Sequence, residues 1–418
     1  MKVCLSTLIV IFALAQSIHA GSGEEVISDE KTLTLEQVLN HAVKKSPEIL
    51  KVRRDLLTRL AEATDVQTPE SPEVQVDYLQ PTGDIGEEES PSSVDFEFTM
   101  PLRISYFGVR QAYASALKDV ARQENQAAVY AGLNNVTLAY YRLWALEQRM
   151  AYLENAEALS KDIIIRIQAR KDEVPEQQAL LFEAEAYRFG AEAGAARAQI
   201  LEAHQEIIRM TGLPYSGIKT VRPMFVPVPL NESQLKQFAR SRSGMRQLIQ
   251  ARTRAADRAL DVARLDVIPE FSPRFLYEWS EAEEEKRWGV GVAVKIPFLN
   301  QNKAEIQKAR AEVDLAHAEE KAFQTISLDR LIEMRVRTAR AFQTRADSYW
   351  TKILPAYRKL YLVTLINFEA GTATVLDVRD AQTRLLDAEN QALQNTIESL
   401  SARALLEQLL GGKIEEIK

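Results

Sequence analysis

Between Val109 and Arg170 the chain has no proline, and Gly132 is its only glycine. Ala, Leu, Gln, Glu and Arg dominate the stretch, and all are good helix formers. A helix of about 60 residues would be ~90 Å long, whereas globular helices average about 11–12 residues. A rod of that length cannot be wrapped inside one globular core and must be paired with other helices along its length. Pro175 stands where a second helix starts and Gly212 where it stops, the expected asymmetry of helix ends. The pattern returns from Ala304 to Phe368 and from Thr374 to Leu410, with Pro355 expected to kink or break the first of these. Long paired helices rich in small residues read as close-packed coiled coil. Alone, they would describe a cytoskeletal or chaperone-like rod.

The recurrence is an internal duplication. Ser71-Pro72-Glu73-Val74-Gln75-Val76-Asp77-Tyr78 resembles Ser272-Pro273-Arg274-Phe275-Leu276-Tyr277-Glu278-Trp279. Phe98-Thr99-Met100-Pro101-Leu102 resembles Val294-Lys295-Ile296-Pro297-Phe298, and Leu409-Leu410-Gly411 closes the second half as Met210-Thr211-Gly212 closes the first. The three offsets are 201, 196 and 199 residues. The boundary lies in the proline-rich stretch Leu213–Pro229. The expected organisation is residues 1–20 as a leader, 21–227 as a first repeat and 228–418 as a second. In the first, strands are expected at about 72–80 and 93–101 and long helices at about 105–170 and 175–211. In the second, the strands fall at about 272–279 and 287–297 and the long helices at about 304–368 and 374–410. Thr34 to Thr64 is expected as one further helix, opened by a Thr34/Gln37 capping box.

Lys2, the apolar run Val3 to Ala15 and the small residue Ala20 fit a secretory signal, too short to span a bilayer. The only cysteine, Cys4, precedes the apolar run, so no lipid anchor, disulfide framework, cysteine zinc site or cysteine nucleophile is expected. The histidines His19, His41, His204 and His317 have no metal-ligand spacing. The net charge of −7 argues against a broadly basic nucleic-acid binder. No nucleophile–base set and no glycine-rich phosphate loop is visible, so neither an enzyme nor a cofactor is expected.

The predicted strands separate a rod from something else. Val94, Phe96, Phe98 and Met100 alternate with Asp95, Glu97 and Thr99. Trp288, Val290, Val292, Val294 and Ile296 alternate with Gly289, Gly291, Ala293 and Lys295. Val74, Val76 and Tyr78 alternate likewise, as do Phe275, Tyr277 and Trp279. Alternation means a sheet with one apolar face. That face meets either a protein core or lipid, and the pattern does not choose between them. Lengths near 9–11 residues with aromatics toward the ends suit spanning strands. The joining loops, Pro81 to Ser92 and Ser280 to Lys286, are polar and acidic. Four spanning strands cannot close a barrel, since barrels start at about 8. A lipid-facing sheet of this kind must therefore be closed by further copies of the chain.

At this point the sequence resembles the TolC-type outer-membrane efflux family, over about Leu33 to Gly412. The opening Leu33-Thr34-Leu35-Glu36-Gln37-Val38-Leu39 with Ser46-Pro47-Glu48 is similar to the family's start. Ile296-Pro297-Phe298-Leu299-Asn300-Gln301-Asn302-Lys303-Ala304-Glu305-Ile306 resembles its motif after the strands. Phe368-Glu369-Ala370-Gly371-Thr372-Ala373-Thr374-Val375-Leu376-Asp377-Val378-Arg379-Asp380-Ala381-Gln382 resembles its closing motif. The resemblance implies a mainly α fold with a transmembrane β-barrel: a duplicated helix–hairpin–long-helix unit in a trimer. Its 12-stranded barrel would continue into a periplasmic α-helical tunnel. It further implies a homotrimer in the outer membrane, working with a periplasmic adaptor (membrane fusion) protein and an inner-membrane efflux pump. The Ile-Pro-Phe-Leu-Asn-Gln-Asn form leans toward the heavy-metal branch, whose pumps export divalent cations. The rival reading is a non-transporting periplasmic or envelope scaffold, which explains the helices but not the strands.

By residue match, Asp377 and Asp380 fall where the family's aspartates ring the pore entrance, with Gln178 and Arg384 as weaker pore-lining positions. Crowding of six such carboxylates in a trimer is expected to raise some of their pKa values. The local alternative for Asp377 is a helix cap with Thr374. Val94, Phe96, Phe98, Val290, Val292 and Val294 are expected to face lipid, with Asp95, Glu97 and Lys295 toward the lumen. Phe368 stands where many members have tyrosine, Ala373 where some have arginine, and Gln178 where aspartate is common. The first tip, Lys171-Asp172-Glu173-Val174, lacks the usual glycine, and Ile104-Ser105-Tyr106-Phe107-Gly108 lacks the family's basic sequence.

Overall fold

The expected single helix from Thr34 to Thr64 is two. Helix α1 (Leu35–Lys45) opens on the reciprocal Thr34/Gln37 capping box. Pro47 forces the residue before it out of the helical region, and Ser46 takes φ −58° and ψ 125°. Helix α2 (Pro47–Gln67) then starts afresh, with Ser46 Oγ accepting from the Ile49 amide at 3.4 Å. These residues belong to a computed structural model that describes residues 31–79, 93–169, 176–213, 218–223, 228, 231–280, 286–295, 302–325 and 328–414. The expected leader, both strand-joining loops and the first tip lie outside the described residues.

After the short strand β1 (Lys31–Thr32) and α1–α2 come β2 (Glu73–Leu79) and β3 (Ser93–Thr99). The 60-residue α3 (Val109–Gln168) and the 36-residue α4 (Glu176–Thr211) follow. Strand β4 (Ile218–Lys219) pairs in parallel with β1. The same order then recurs. Helices α5 (Glu232–Arg242) and α6 (Gly244–Leu265) precede β5 (Glu270–Ser280) and β6 (Lys286–Lys295). The last helices are α7 (Lys303–Thr325), α8 (Leu328–Ser348), α9 (Leu354–Glu369) and the 36-residue α10 (Val375–Leu410). The stretch expected as one helix broken at Pro355 is thus α7, α8 and α9, with a π segment, Tyr349–Ile353, joining the last two. Proline has no N–H for the i−4 carbonyl and its ring crowds it. The wider π turn just before Pro355 gives that carbonyl room.

Two glycines hold equivalent places in the two halves. Gly212 ends α4 at φ +70° and Gly411 ends α10 at φ +75°. A Cβ on Gly212 would lie 2.8 Å from the Lys45 carbonyl oxygen at the end of α1, and one on Gly411 closer still to Arg242 O at the end of α5. Both conformation and close approach therefore require glycine.

The core is a string of small clusters between paired helices. One joins Val38, Ala42, Tyr140, Leu143 and Ile207; another joins Leu235, Ile332, Val336, Leu406 and Leu410; a third joins Ile163, Phe182, Phe368, Val375 and Val378. Along α10 the positions seven apart from Val375 to Leu410 face inward, yet four are polar: Gln382, Glu389, Thr396 and Arg403. Gln382 donates to Ala156 O at 2.9 Å and Ser160 Oγ at 3.0 Å on α3. Arg358 of α9 donates to Glu389 at 3.2 Å, and Trp350 Nε1 to Thr396 at 2.9 Å. Polar groups at such positions fix one register between helices at some cost in stability.

Burial raises the Glu389 pKa, against the lowering by Arg358. Arg358→Met is therefore expected to destabilise the helices by about 1–3 kcal/mol, the cost of leaving a buried acceptor unpaired. With the arginine gone the folded pKa rises further above the unfolded one. The acid then binds protons more tightly folded than unfolded, so the variant's stability should fall as pH rises above 4.5. Urea unfolding followed by helical circular dichroism at several pH values checks this.

Candidate functional site

Four strands form one antiparallel sheet in the order β2-β3-β5-β6. The register puts every apolar alternation on the same side. Val74 pairs with Phe98, Val76 with Phe96 and Tyr78 with Val94. Val94, Phe96 and Phe98 pair in turn with Trp279, Tyr277 and Phe275. Phe275 meets Val290, Tyr277 meets Trp288, and Pro273 and Phe271 meet Val292 and Val294. All six residues expected to face lipid thus share one face. Among the described residues nothing covers its outer strands: Trp288 is 71% exposed, Val290 76%, Val292 65% and Val76 62%. An uncovered apolar sheet face of this extent marks an interaction surface.

The opposite face is polar. It carries Glu73, Asp77, Asp95, Glu97, Glu270 and Glu278 against Arg274, Arg287 and Lys295, with Gly289, Gly291 and Ala293 on β6. Arg274 pairs with Glu97 across β5 and β3. Asp95, Glu97 and Lys295 accordingly lie together on this face. Among the described residues the edge strands β2 and β6 each pair on one side only.

Where the sheet meets the helices, two ion clusters fix the joint. Asp266, at the end of α6, accepts from Ser105 Oγ at 2.6 Å and from Arg110 at 2.6 Å. Arg103 reaches Glu270 at 2.8 Å and Glu70 at 3.1 Å.

The other end of the helices carries the aspartates. Asp377 is bonded locally: its carboxylate accepts from the Thr374 hydroxyl at 2.7 Å and the Thr374 amide at 2.8 Å. The Thr374 hydroxyl accepts from the Asp377 amide in return. Those bonds from Thr374 hold the Asp377 carboxyl below the usual carboxylate range. Within one chain this runs opposite to the rise expected from crowding. Asp380 lies one turn on, exposed, and accepts from Arg384 at 2.7 Å. Asp377, Asp380, Arg384 and Asp387 form an exposed polar stripe on α10. Gln178 sits half-buried on the first turn of a different helix, α4.

Sequence reading missed the ties around this stripe. Arg379 of α10 donates to the buried Glu185 of α4 at 3.1 Å, and Arg188 also reaches Glu185, at 2.6 Å. Arg166 near the end of α3 pairs with Glu369 at the end of α9. The partners are 194 residues apart in the first case, so no local spacing announces them. Phe368, in the place of the family's tyrosine, is buried in the apolar cluster. The nearby Tyr361 hydroxyl is buried without a hydrogen-bond partner among the described residues, and burial pushes its pKa up to about 12.

The cap has a pH consequence. Asp377 has its folded pKa below 3.8, so its stabilisation is present above that value and is lost as pH falls through the lower folded value. Amide exchange in the first turn of α10 should accelerate, relative to the rest of the helix, as pH drops below 3.8. Asp377→Asn should remove that pH dependence, as read by hydrogen-exchange mass spectrometry.

Among the described residues there is no group of three or more His, Cys, Asp or Glu able to hold a metal ion, and no helix long and apolar enough to cross a membrane.

Residues 239–412 match the family described as outer membrane efflux protein. Over 122 residues the sequence is 29% identical to the cobalt-zinc-cadmium resistance protein CzcC of Cupriavidus metallidurans, a match covering 29% of each chain. The fold is similar to that of the outer-membrane channel OprN, with a TM-score of 0.73 at 17% identity, covering 91% of this chain and 90% of that one. It is similar also to the CmeC outer membrane channel of Campylobacter jejuni, with a TM-score of 0.73 at 14% identity over 94% and 90% of the two chains. At these identities the likeness is one of fold.

Proposed function

We propose that this chain, whose residues 239–412 match the family described as outer membrane efflux protein, is one third of an export channel through the outer membrane. The observation that carries the reading is the open, two-faced sheet. Its apolar face is uncovered and both edges are free to pair. In lipid an open edge leaves each backbone polar group unsatisfied at several kcal/mol. Pairing β6 of one copy with β2 of the next removes both edges. Three copies supply 12 strands, within the range of known barrels. Val94, Phe96, Phe98, Val290, Val292 and Val294 then meet lipid, and Glu97, Arg274 and their neighbours line the lumen. The helices, continuing from the sheet, extend the wall as a periplasmic tunnel.

The chain supplies no chemistry of its own in this reading. Residues 1–20 are a cleaved leader, and residues 21–227 and 228–418 are two structural repeats. The lumen face carries six acids against three bases per chain. Such a field inside low-dielectric walls favours cations over anions. Asp377 and Asp380 line the periplasmic entrance, with Gln178 and Arg384 as weaker pore-lining positions. Export energy comes from an inner-membrane pump joined through a periplasmic adaptor. Divalent metal cations are the substrate class, in keeping with the cobalt, zinc and cadmium in the name of the similar CzcC and with the acidic lumen. A non-transporting envelope scaffold would account for the long helices and leave the uncovered apolar face without a purpose.

Planar-bilayer recording of the purified protein tests the reading. Discrete, cation-selective conductance steps support it. Failure to insert, or an ion-impermeable insertion, contradicts it.

A further inference from the structure

Beyond the strands, one short turn presents apolar side chains outward from a rigid mount. It follows β3 and consists of Arg103, a 3-10 turn Ile104–Tyr106, Phe107 and Gly108. Its polar members all turn inward. Arg103 is held by Glu270 and Glu70, and Ser105 is buried against Asp266. The Arg110 guanidinium lies 4.8 Å from the centre of the Tyr106 ring while it also bonds Asp266. What points outward is apolar: Ile104 is 45% exposed and Phe107 73%. Gly108 takes φ +94°, the conformation that lets the chain turn from here into α3. Ile268, two residues past the clamped Asp266, is exposed as well.

The patch is continuous with the uncovered face of the sheet. The β3–β5 ladder runs on past Thr99, through Met100 N to Pro273 O at 3.1 Å and Leu102 N to Phe271 O at 2.8 Å. Leu102 has the parity of Phe98 and Phe96, so it belongs to the apolar side, and Met100 and Phe271 beside it are exposed. The apolar surface therefore does not stop where the strands stop.

We infer that Ile104 and Phe107 are a membrane anchor, seated in the interfacial zone of the leaflet on the helix side of the sheet. The inference rests on the proposed channel reading and extends it to a contact outside the strands. Aromatic side chains favour the bilayer interface, where an apolar body meets the edge of the hydrocarbon. The clamp through Asp266 and Arg110 gives the anchor its use. It couples the depth of the sheet in lipid to the direction in which α3 and α6 leave it. In the aligned positions of the second half the sequence has Asn300 and Lys303 in place of Ile104 and Phe107.

Site-directed spin labelling tests this. In a Cys4→Ser background, single variants Phe107→Cys, Ile104→Cys, Val292→Cys and Glu183→Cys are labelled with a nitroxide. They are reconstituted into vesicles of zwitterionic phospholipid. Collision rates with oxygen, which partitions into lipid, and with a water-soluble nickel chelate are then compared. The inference predicts an oxygen-to-nickel ratio at 107 and 104 several-fold above that at the tunnel site 183, and below that at 292. A lipid-like ratio at 292 with a water-like ratio at 107 and 104 overturns the anchor and leaves the channel reading standing. Low access of both reagents at 107, with an immobilised spectrum, also overturns it, because protein then covers the turn. A water-like ratio at 292 overturns both readings.

Discussion

Arginine in place of Val292 is expected to prevent the sheet from reaching its membrane-inserted state. Val292 lies within β6 on the uncovered apolar face, opposite Pro273. A charged arginine at the bilayer midplane costs about 2–4 kcal/mol in a spanning strand, and every copy in the proposed assembly would bear it. The companion variant Gly291→Arg places the same charge on the polar face. A Cβ there meets nothing closer than the Arg274 Cβ at 4.0 Å, so the variant is expected to assemble. Yields of heat-modifiable, detergent-resistant oligomer measure both. Normal assembly of Val292→Arg with failure of Gly291→Arg would mean that the two faces are assigned the wrong way round.

The second large effect is expected at the other end of the tunnel. Asp377 and Asp380 lie on one exposed stripe of α10. In the proposed trimer, three copies would bring six carboxylates into one narrow section, where a confined field of one sign concentrates counter-ions by roughly tenfold or more. Asp377→Asn together with Asp380→Asn should lower cation selectivity and relieve block by multivalent cations in bilayer recordings, with oligomer yield unchanged. The two positions differ in how they should contribute. The Asp377 carboxylate is engaged by Thr374, and Asn can still cap a helix, so the fold survives the change. Among the described residues Asp380 pairs along its own helix with Arg384, and an exposed pair of this kind is worth little to stability. Unchanged selectivity and block would leave Asp377 as a cap and Asp380 as a solvated surface acid.

The parts legible in the sequence were those with a local period. Strand alternation predicted the common apolar face of Val94, Phe96, Phe98, Val290, Val292 and Val294, because side chains two apart must share a side. The capping boxes at Thr34 and Thr374 follow from a spacing of three residues. The break at Ser46 was available in the sequence too, since Pro47 constrains its predecessor; a helical pattern running through both sides hid it. The π segment before Pro355 was not legible, because proline announces a disturbance without saying which geometry absorbs it. Contacts between distant residues had no signature at all. Glu185 with Arg379, Glu389 with Arg358 and Asp266 with Arg110 depend on which helices pack side by side. Phe107 is the same problem in reverse: its exposure is set by what the fold leaves uncovered.

The central claim is that the four-stranded sheet is completed by two further copies of the chain. Native mass spectrometry of the mature protein, extracted in mild detergent and released from the micelle at rising collision energy, tests it most directly. The account predicts a single dominant species of three chains that withstands micelle removal and dissociates only at energies that unfold a subunit. A stable folded monomer at every protein concentration, with no larger species, would contradict it.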